Sequence, residues 1–165
     1  MPQVTDTSAP PARLLGGLAT QRDAYADAYT LHLPRHVSLA QFVEAFYTTR
    51  LFKLERWLIA RTGRPSTDAD VRAVAQGENR RMAAWTVEAR EGDELLMHED
   101  SGVTRSWFKV EAGGGGTTLW FGSAFMPRKS RPGGERQFSW LFHALLGFHR
   151  MYSRALLKAA ARNLG

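Results

Sequence analysis

The sequence predicts an α+β domain in which a curved antiparallel sheet wraps a long C-terminal helix, with short helices after the first strand. Three observations predict it. From Met82 to Met126 apolar and polar residues alternate in segments separated by short polar turns, the pattern of an antiparallel meander. From about Arg136 to Arg162 the apolar residues recur at the helical period instead. Between a first alternating segment and the meander stand two helix-capping signals.

Taken in order, residues 1–20 read as a flexible N-terminal arm and residues 21–165 as the single domain. In Tyr25–Leu33, Tyr29, Leu31 and Leu33 alternate with Thr30 and His32, a strand that Pro34 closes. Ser38 followed by Gln41 opens a helix with Leu39, Phe42, Val43 and Phe46 on one face, and Thr48-Thr49 weakens its continuation. A second helix carries Leu51, Leu54, Trp57 and Leu58 and stops at Gly63. Thr67 with Asp70 caps a short third helix, which Gly77 ends.

In the meander, Trp85, Val87 and Ala89 share a face. Strands follow over Glu94–Glu99, Val103–Glu111 and Thr117–Met126, separated by Ser101-Gly102 and by the glycine run 113–116. In the second of these strands Ser106, Phe108 and Val110 suit the inner face, leaving Arg105, Trp107, Lys109 and Glu111 outside; a shifted register would put Arg105 inside as an anion anchor. Leu119, Phe121 and Phe125 lie on one side of the last strand. A basic loop, Arg128 to Gly134, precedes the final helix, whose apolar stripe is Leu141, Leu145, Phe148, Tyr152, Leu156 and Ala159.

The composition narrows the chemistry. A chain of 165 residues, 44% apolar and 23% charged, suits one domain with its own core. The absence of cysteine removes disulfides, zinc ribbons, thiol nucleophiles and iron–sulfur clusters. Met1–Ala12 lacks the basic-then-apolar order of a signal peptide. Phe138–Leu157 is broken by His143, His149, Arg150 and Arg154 and does not read as a membrane span, so a cytoplasmic location is expected. The net charge of +6, carried by 18 arginines and four lysines, suits nucleic acid, an anionic membrane surface or an acidic partner. The basic residues are spread over every element, as arginine-biased coding in GC-rich bacteria also produces, and nucleic acid is not expected.

This order of elements resembles the helix-grip fold of the START-like (SRPBCC) superfamily, which includes polyketide cyclases and lipid-transfer domains. Three segments resemble, more closely, an uncharacterised bacterial domain family associated with that fold. They are Tyr25-Ala26-Asp27-Ala28-Tyr29 with Leu31-His32-Leu33-Pro34, the Gly92-Asp93-Glu94-Leu95-Leu96 turn and strand, and Phe148-His149-Arg150-Met151-Tyr152. The resemblance covers about residues 24–160. It implies a cavity between sheet and helix that takes apolar small molecules and that some members use for catalysis.

Few residues stand out as chemical. His149 falls about 80° from the centre of the apolar stripe, counting about 100° per residue, where its ring either enters a cavity as acid, base or donor, or bonds a backbone carbonyl at the rim. His98 shares a face with Leu96, opposite Leu95, Met97 and Glu99, and alternation does not decide which face is inner. Trp85, Trp107 and Trp120 are strand aromatics, core residues or pocket walls. His143 and His149 point apart, and His32 and His36 lack ligand spacing, so no metal is expected. No nucleophile elbow, phosphate loop, dinucleotide fingerprint or paired-carboxylate motif is present, and no cofactor is expected.

The expectation is a binding module for an apolar or amphipathic small molecule, with walls from Trp85, Phe108, Phe121 and Tyr152 and polar anchors at His98 and His149. An enzyme on the same scaffold, a cyclase, dehydratase or hydrolase with His149 as acid or base, is the first alternative. A non-catalytic protein that forms a homodimer through exposed aromatics is the second.

Overall fold

The computed structural model describes residues 4–7, 14–17, 25–126 and 140–165, apart from the side chains of 140–146. The expected basic loop and the start of the last helix lie outside these residues, as do the side chains of Leu141 and Leu145.

The elements run β1 (Thr5–Thr7), β2 (Tyr25–Leu33), α1 (Leu39–Tyr47), α2 (Arg50–Ala60), α3 (Asp68–Gln76), β3 (Arg81–Met82), β4 (Trp85–Glu91), β5 (Glu94–Glu99), β6 (Thr104–Gly113), β7 (Gly116–Phe125) and α4 (Trp140–Asn163). The strands form one sheet in the order β1-β2-β7-β6-β5-β4-β3, and every neighbouring pair is antiparallel. With α4 packed against β2 and β7, the architecture is the expected α+β arrangement, one antiparallel sheet gripping a long C-terminal helix. Both edge strands are very short, β1 covering only Ala28–Thr30 of β2 and β3 only Trp85–Thr86 of β4.

The helix boundaries follow their caps. Ser38 and Gln41 close a reciprocal capping box on α1, and Thr67 and Asp70 do the same on α3, which Gly77 ends in the left-handed conformation. Thr49 does more than interrupt a helix. Its buried hydroxyl donates to the Phe46 carbonyl and accepts from the Phe52 amide, joining the end of α1 to the start of α2.

Register assigns the faces. Asp27, Tyr29 and Leu31 on β2 pair with Ser123, Phe121 and Leu119 on β7. Phe108 and Ser106 on β6 pair with Leu95 and Met97 on β5, and Trp85 pairs with Glu99. Tyr29, Leu31, Leu119, Phe121, Phe108, Leu95, Met97 and Trp85 belong to the main core. Ser106, Phe108 and Val110 are therefore inner, as their alternation predicts, and Arg105 lies on the other face, ion-paired to Glu88 at 2.9 Å. Ala89 departs from its expected face. A register shift between Val87 and Ala89 turns it to the opposite side, where it packs with Leu96 and Trp107.

That opposite side has its own small core. Leu15 is fully buried with Ala28, Leu96, Trp107 and Ala124. The Leu14 amide and the Trp107 indole N–H both donate to the buried carboxylate of Glu94 at 3.1 Å. Gly122 makes this close approach feasible, since a Cβ there would lie 2.8 Å from Leu15 and from the Asp27 carbonyl.

On the main face, α1 plugs the centre of the sheet: Phe46 stacks at 4.5 Å on Phe121 and meets Phe108 edge-on at 4.9 Å. α4 lies beside it, in contact with α1, α2, β2 and β7. Its inward face differs from the expected stripe. Ser153, Leu156, Leu157, Ala160 and Ala161 are buried, whereas Phe148 is 60% exposed and Met151 61% exposed. The helix is turned by about 100°, one residue, from the orientation its largest apolar residues predict. α2 shows the same inversion, with Phe52 and Arg56 buried and Leu54, Trp57 and Leu58 exposed. Arg56 donates to the Thr67 carbonyl at 2.9 Å and pairs with Asp68, while its Nε is buried with no partner among the described residues. Among the described residues no helix is long and apolar enough to cross a membrane.

Candidate functional site

Between the sheet and α4 lies a cavity of about 240 Å³. Its floor comes from β4, β6 and β7 through Trp85, Thr104, Ser106, Phe121 and Ser123, with Glu99 of β5 at the edge. Its roof is α4, through His149, Tyr152, Ser153 and Leu156, which recur at i, i+3, i+4 and i+7 and so share one helical face. Phe46 of α1 and Phe52 and Glu55 of α2 close the side.

One end is polar. His149 Nε2 lies 2.9 Å from the Ser123 hydroxyl and 3.3 Å from the Ser153 hydroxyl, and its ring meets Phe125 edge-on at 4.7 Å. Asp27 stands beside Ser123 in the β2–β7 pairing and accepts a hydrogen bond from Tyr29 at 3.1 Å, while its Oδ1 is buried with no partner among the described residues. Burial holds the His149 pKa below the usual histidine value, with the nearby Asp27 charge opposing the shift. Burial likewise raises Asp27, and His149 opposes that shift. The imidazole is thus biased to its neutral form, which accepts a proton or bonds a neutral polar group.

At the side, the Tyr152 hydroxyl donates to Glu55 Oε2. Burial raises the Glu55 pKa, and this hydrogen bond partly offsets it. The Trp85 indole N–H is buried without a partner among the described residues. Among the described residues none of those lining the cavity is a lysine or arginine.

The cavity brings together Trp85, Phe121, His149 and Tyr152. Phe108 packs one layer deeper, against Phe46 and Phe121. His98 is not brought to it. It shares the outer face with its pairing partner Arg105, and its Nδ1–H donates to the Glu99 carbonyl at 3.2 Å. Asp27, Glu55, Ser123 and Ser153 escaped the sequence reading. The signal for Asp27 was a carboxylate in phase with Tyr29 and Leu31; for Ser153 it was the four-residue spacing from His149. Among the described residues no three His, Asp or Glu side chains gather as a metal-binding group.

No protein-family model matches the chain, and no curated protein matches it in sequence. A solved structure titled "Crystal structure of Ara h 8.0201" is similar, with a TM-score of 0.39 and 10% identity over 86% of this chain and 98% of that one. The fold assignment rests on strand order, register and the placement of α4, and not on this likeness.

Proposed function

We propose that this protein is a small-molecule-binding module whose ligand occupies the cavity beneath α4. The observation that carries the reading is the cavity itself, walled by aromatic side chains and bordered by small or polar inward residues. It opens partly to solvent, and its polar end suits water in the free protein that a ligand would displace in the bound one.

The volume equals about eight waters at ~30 Å³ each, so the ligand is compact, of single-ring size. Aromatic walls select an apolar body, and His149, Ser123 and Ser153 select a neutral polar group. Glu55 and Glu99, with no lysine or arginine among the described lining residues, favour a neutral or amine-bearing ligand over an anionic one. The reading fits membership of the START-like superfamily and of the uncharacterised bacterial family its segments resemble, with a cytoplasmic location; the expected arm, residues 1–20, contributes Thr5–Thr7 to the sheet and Leu15 to a core.

A matched compound panel tests it. Single-ring compounds with neutral, ammonium and carboxylate groups are compared by thermal shift, alongside native mass spectrometry of protein purified from its own host. Stabilisation by the neutral and ammonium members is expected. Equal stabilisation by the carboxylates would remove the electrostatic part of the reading, and no response from any member would remove the cavity function.

The two hydroxyls on His149 Nε2 favour a second reading, an enzyme in which the neutral imidazole acts as general base. The His149→Ala variant separates the two. It retains ligand in both cases, and only the enzyme reading has a turnover to lose.

A further inference from the structure

The outer side of α4, the helix that roofs the cavity, has a chemistry of its own together with α2. Five large apolar side chains stand exposed among the described residues, and all belong to α2 or α4: Leu54, Trp57, Leu58, Phe148 and Met151. An apolar groove runs between the helices through Leu51, Leu54, Leu58, Phe148, Met151 and Ala155, with Glu55, hydrogen-bonded to Tyr152, at its edge. Along α4, beside this groove, Arg150, Arg154, Lys158 and Arg162 recur every four residues as an exposed ridge. The helix contains no aspartate or glutamate. On α2, Arg61 lies over the Trp57 ring at 3.7 Å. Two of the ridge cations have neighbours, Arg154 with Asp6 and Arg150 with the Tyr25 hydroxyl.

We propose that this α2–α4 face docks on anionic membrane surfaces. A band of Trp, Phe, Leu and Met beside a row of cations is the composition that lies at a bilayer interface, apolar side chains at the acyl boundary and cations at the phosphates. A second copy of the chain fits less well. A two-fold interface sets the same patch on both subunits, and the cations of this face, Arg61, Arg150, Arg154, Lys158 and Arg162, outnumber its carboxylates, Glu55 in the groove and Asp6 on Arg154. The groove and the cavity share Glu55 and Tyr152, so the docked face is also the one beside the cavity. The proposal rests on the surface alone and does not require the cavity to hold a ligand.

Co-flotation with phosphatidylcholine vesicles, with and without phosphatidylserine, tests it on the full chain, with analytical ultracentrifugation run on the same samples. Binding to the phosphatidylserine vesicles that weakens with salt is expected. Lys158→Glu removes one cation and adds one anion on an exposed turn, and lowers the vesicle partition on the order of 20-fold, at about fivefold per charge. Leu54→Ser combined with Met151→Ser, also exposed, lowers it by about tenfold or more. Circular dichroism confirms that each variant is folded; because they act through different chemistry, loss in one alone still supports docking through this face. No partition onto phosphatidylserine vesicles, or partition that neither variant changes, overturns the proposal. A dimer that the Leu54→Ser, Met151→Ser variant dissociates also overturns it and assigns the face to a second copy.

Discussion

Replacing Ser153 with leucine tests whether the space beneath α4 is real. The Ser153 side chain is 1% exposed and faces the cavity, and its hydroxyl lies 3.3 Å from His149 Nε2. Leucine would extend into the 240 Å³ space that Ser153 lines. Burying it contributes about 1.5–3 kcal/mol, and its better helix propensity adds a few tenths, roughly 0.3 kcal/mol. Against this stands the lost hydrogen bond, about 0.5–1.5 kcal/mol; His149 keeps its 2.9 Å contact with Ser123 and is not orphaned. The net expectation is a gain of about 1 kcal/mol, a rise in Tm of roughly 2–4 °C for a chain of this size. Urea unfolding should show a higher midpoint with an unchanged slope, and ligand binding should fall in the same variant. If the space were already filled, leucine would overpack and cost about 1–3 kcal/mol. A lowered midpoint at constant slope would refute the reasoning, because the two cases differ in sign.

Three further outcomes follow from the same geometry. His149 titrates below its unfolded value of 6.5, so below that pH the unfolded chain takes up a proton that the folded one refuses; stability falls from about pH 6.5 downward, and His149→Gln, compared by thermal unfolding between pH 7 and 5, removes that part of the fall. Glu55 has the opposite sign: its raised pKa means that burial disfavours its charged form in the fold, a cost relieved as pH falls toward 4.5, so Glu55→Gln should be more stable than the parent at pH 7, with the difference closing in acid. Leu15→Ala should cost about 2–4 kcal/mol in urea unfolding, because Leu15 is fully buried against Trp107; a loss below about 0.5 kcal/mol would show that the segment around it adds little to the sheet.

What the sequence made legible was whatever local chemistry decides. Ser38 with Gln41, and Thr67 with Asp70, form the boxes their spacing predicts, because a cap is closed by residues three apart. Strand parity was legible for β2, β6 and β7, where alternation continues unbroken. It failed in β4, since one extra residue between Val87 and Ala89 reverses every later face and leaves no compositional trace. Leu15 was missed because its partners, Trp107 and Ala124, are about a hundred residues away and on the face alternation marks as outer. His149, Trp85, Phe121 and Tyr152 were legible as unusual or large residues on strong elements. Asp27, Glu55 and Ser123 were not, because a polar residue on an inward face looks the same in sequence as a solvated one until its cross-strand neighbours are known.

The orientation of α4 connects the two surfaces of interest. A helix turned to bury Phe148 and Met151 would put large side chains under the roof, where His149, Ser153 and Leu156 now leave room. The observed turn places small residues inward: Ala160 and Ala161 let the helix sit close to α1, and Ser153 stands over the open space. The same turn leaves Phe148 and Met151 in water beside Leu54 and Leu58, an exposure that costs burial energy the chain could otherwise have recovered. Cavity and apolar face are therefore consequences of one rotation rather than two independent features. A Ser153→Leu variant that gains stability would show that the inward side is underfilled. Leu54 and Met151 variants that lose vesicle binding without losing stability would show that the outward side is kept for a partner and not for the fold.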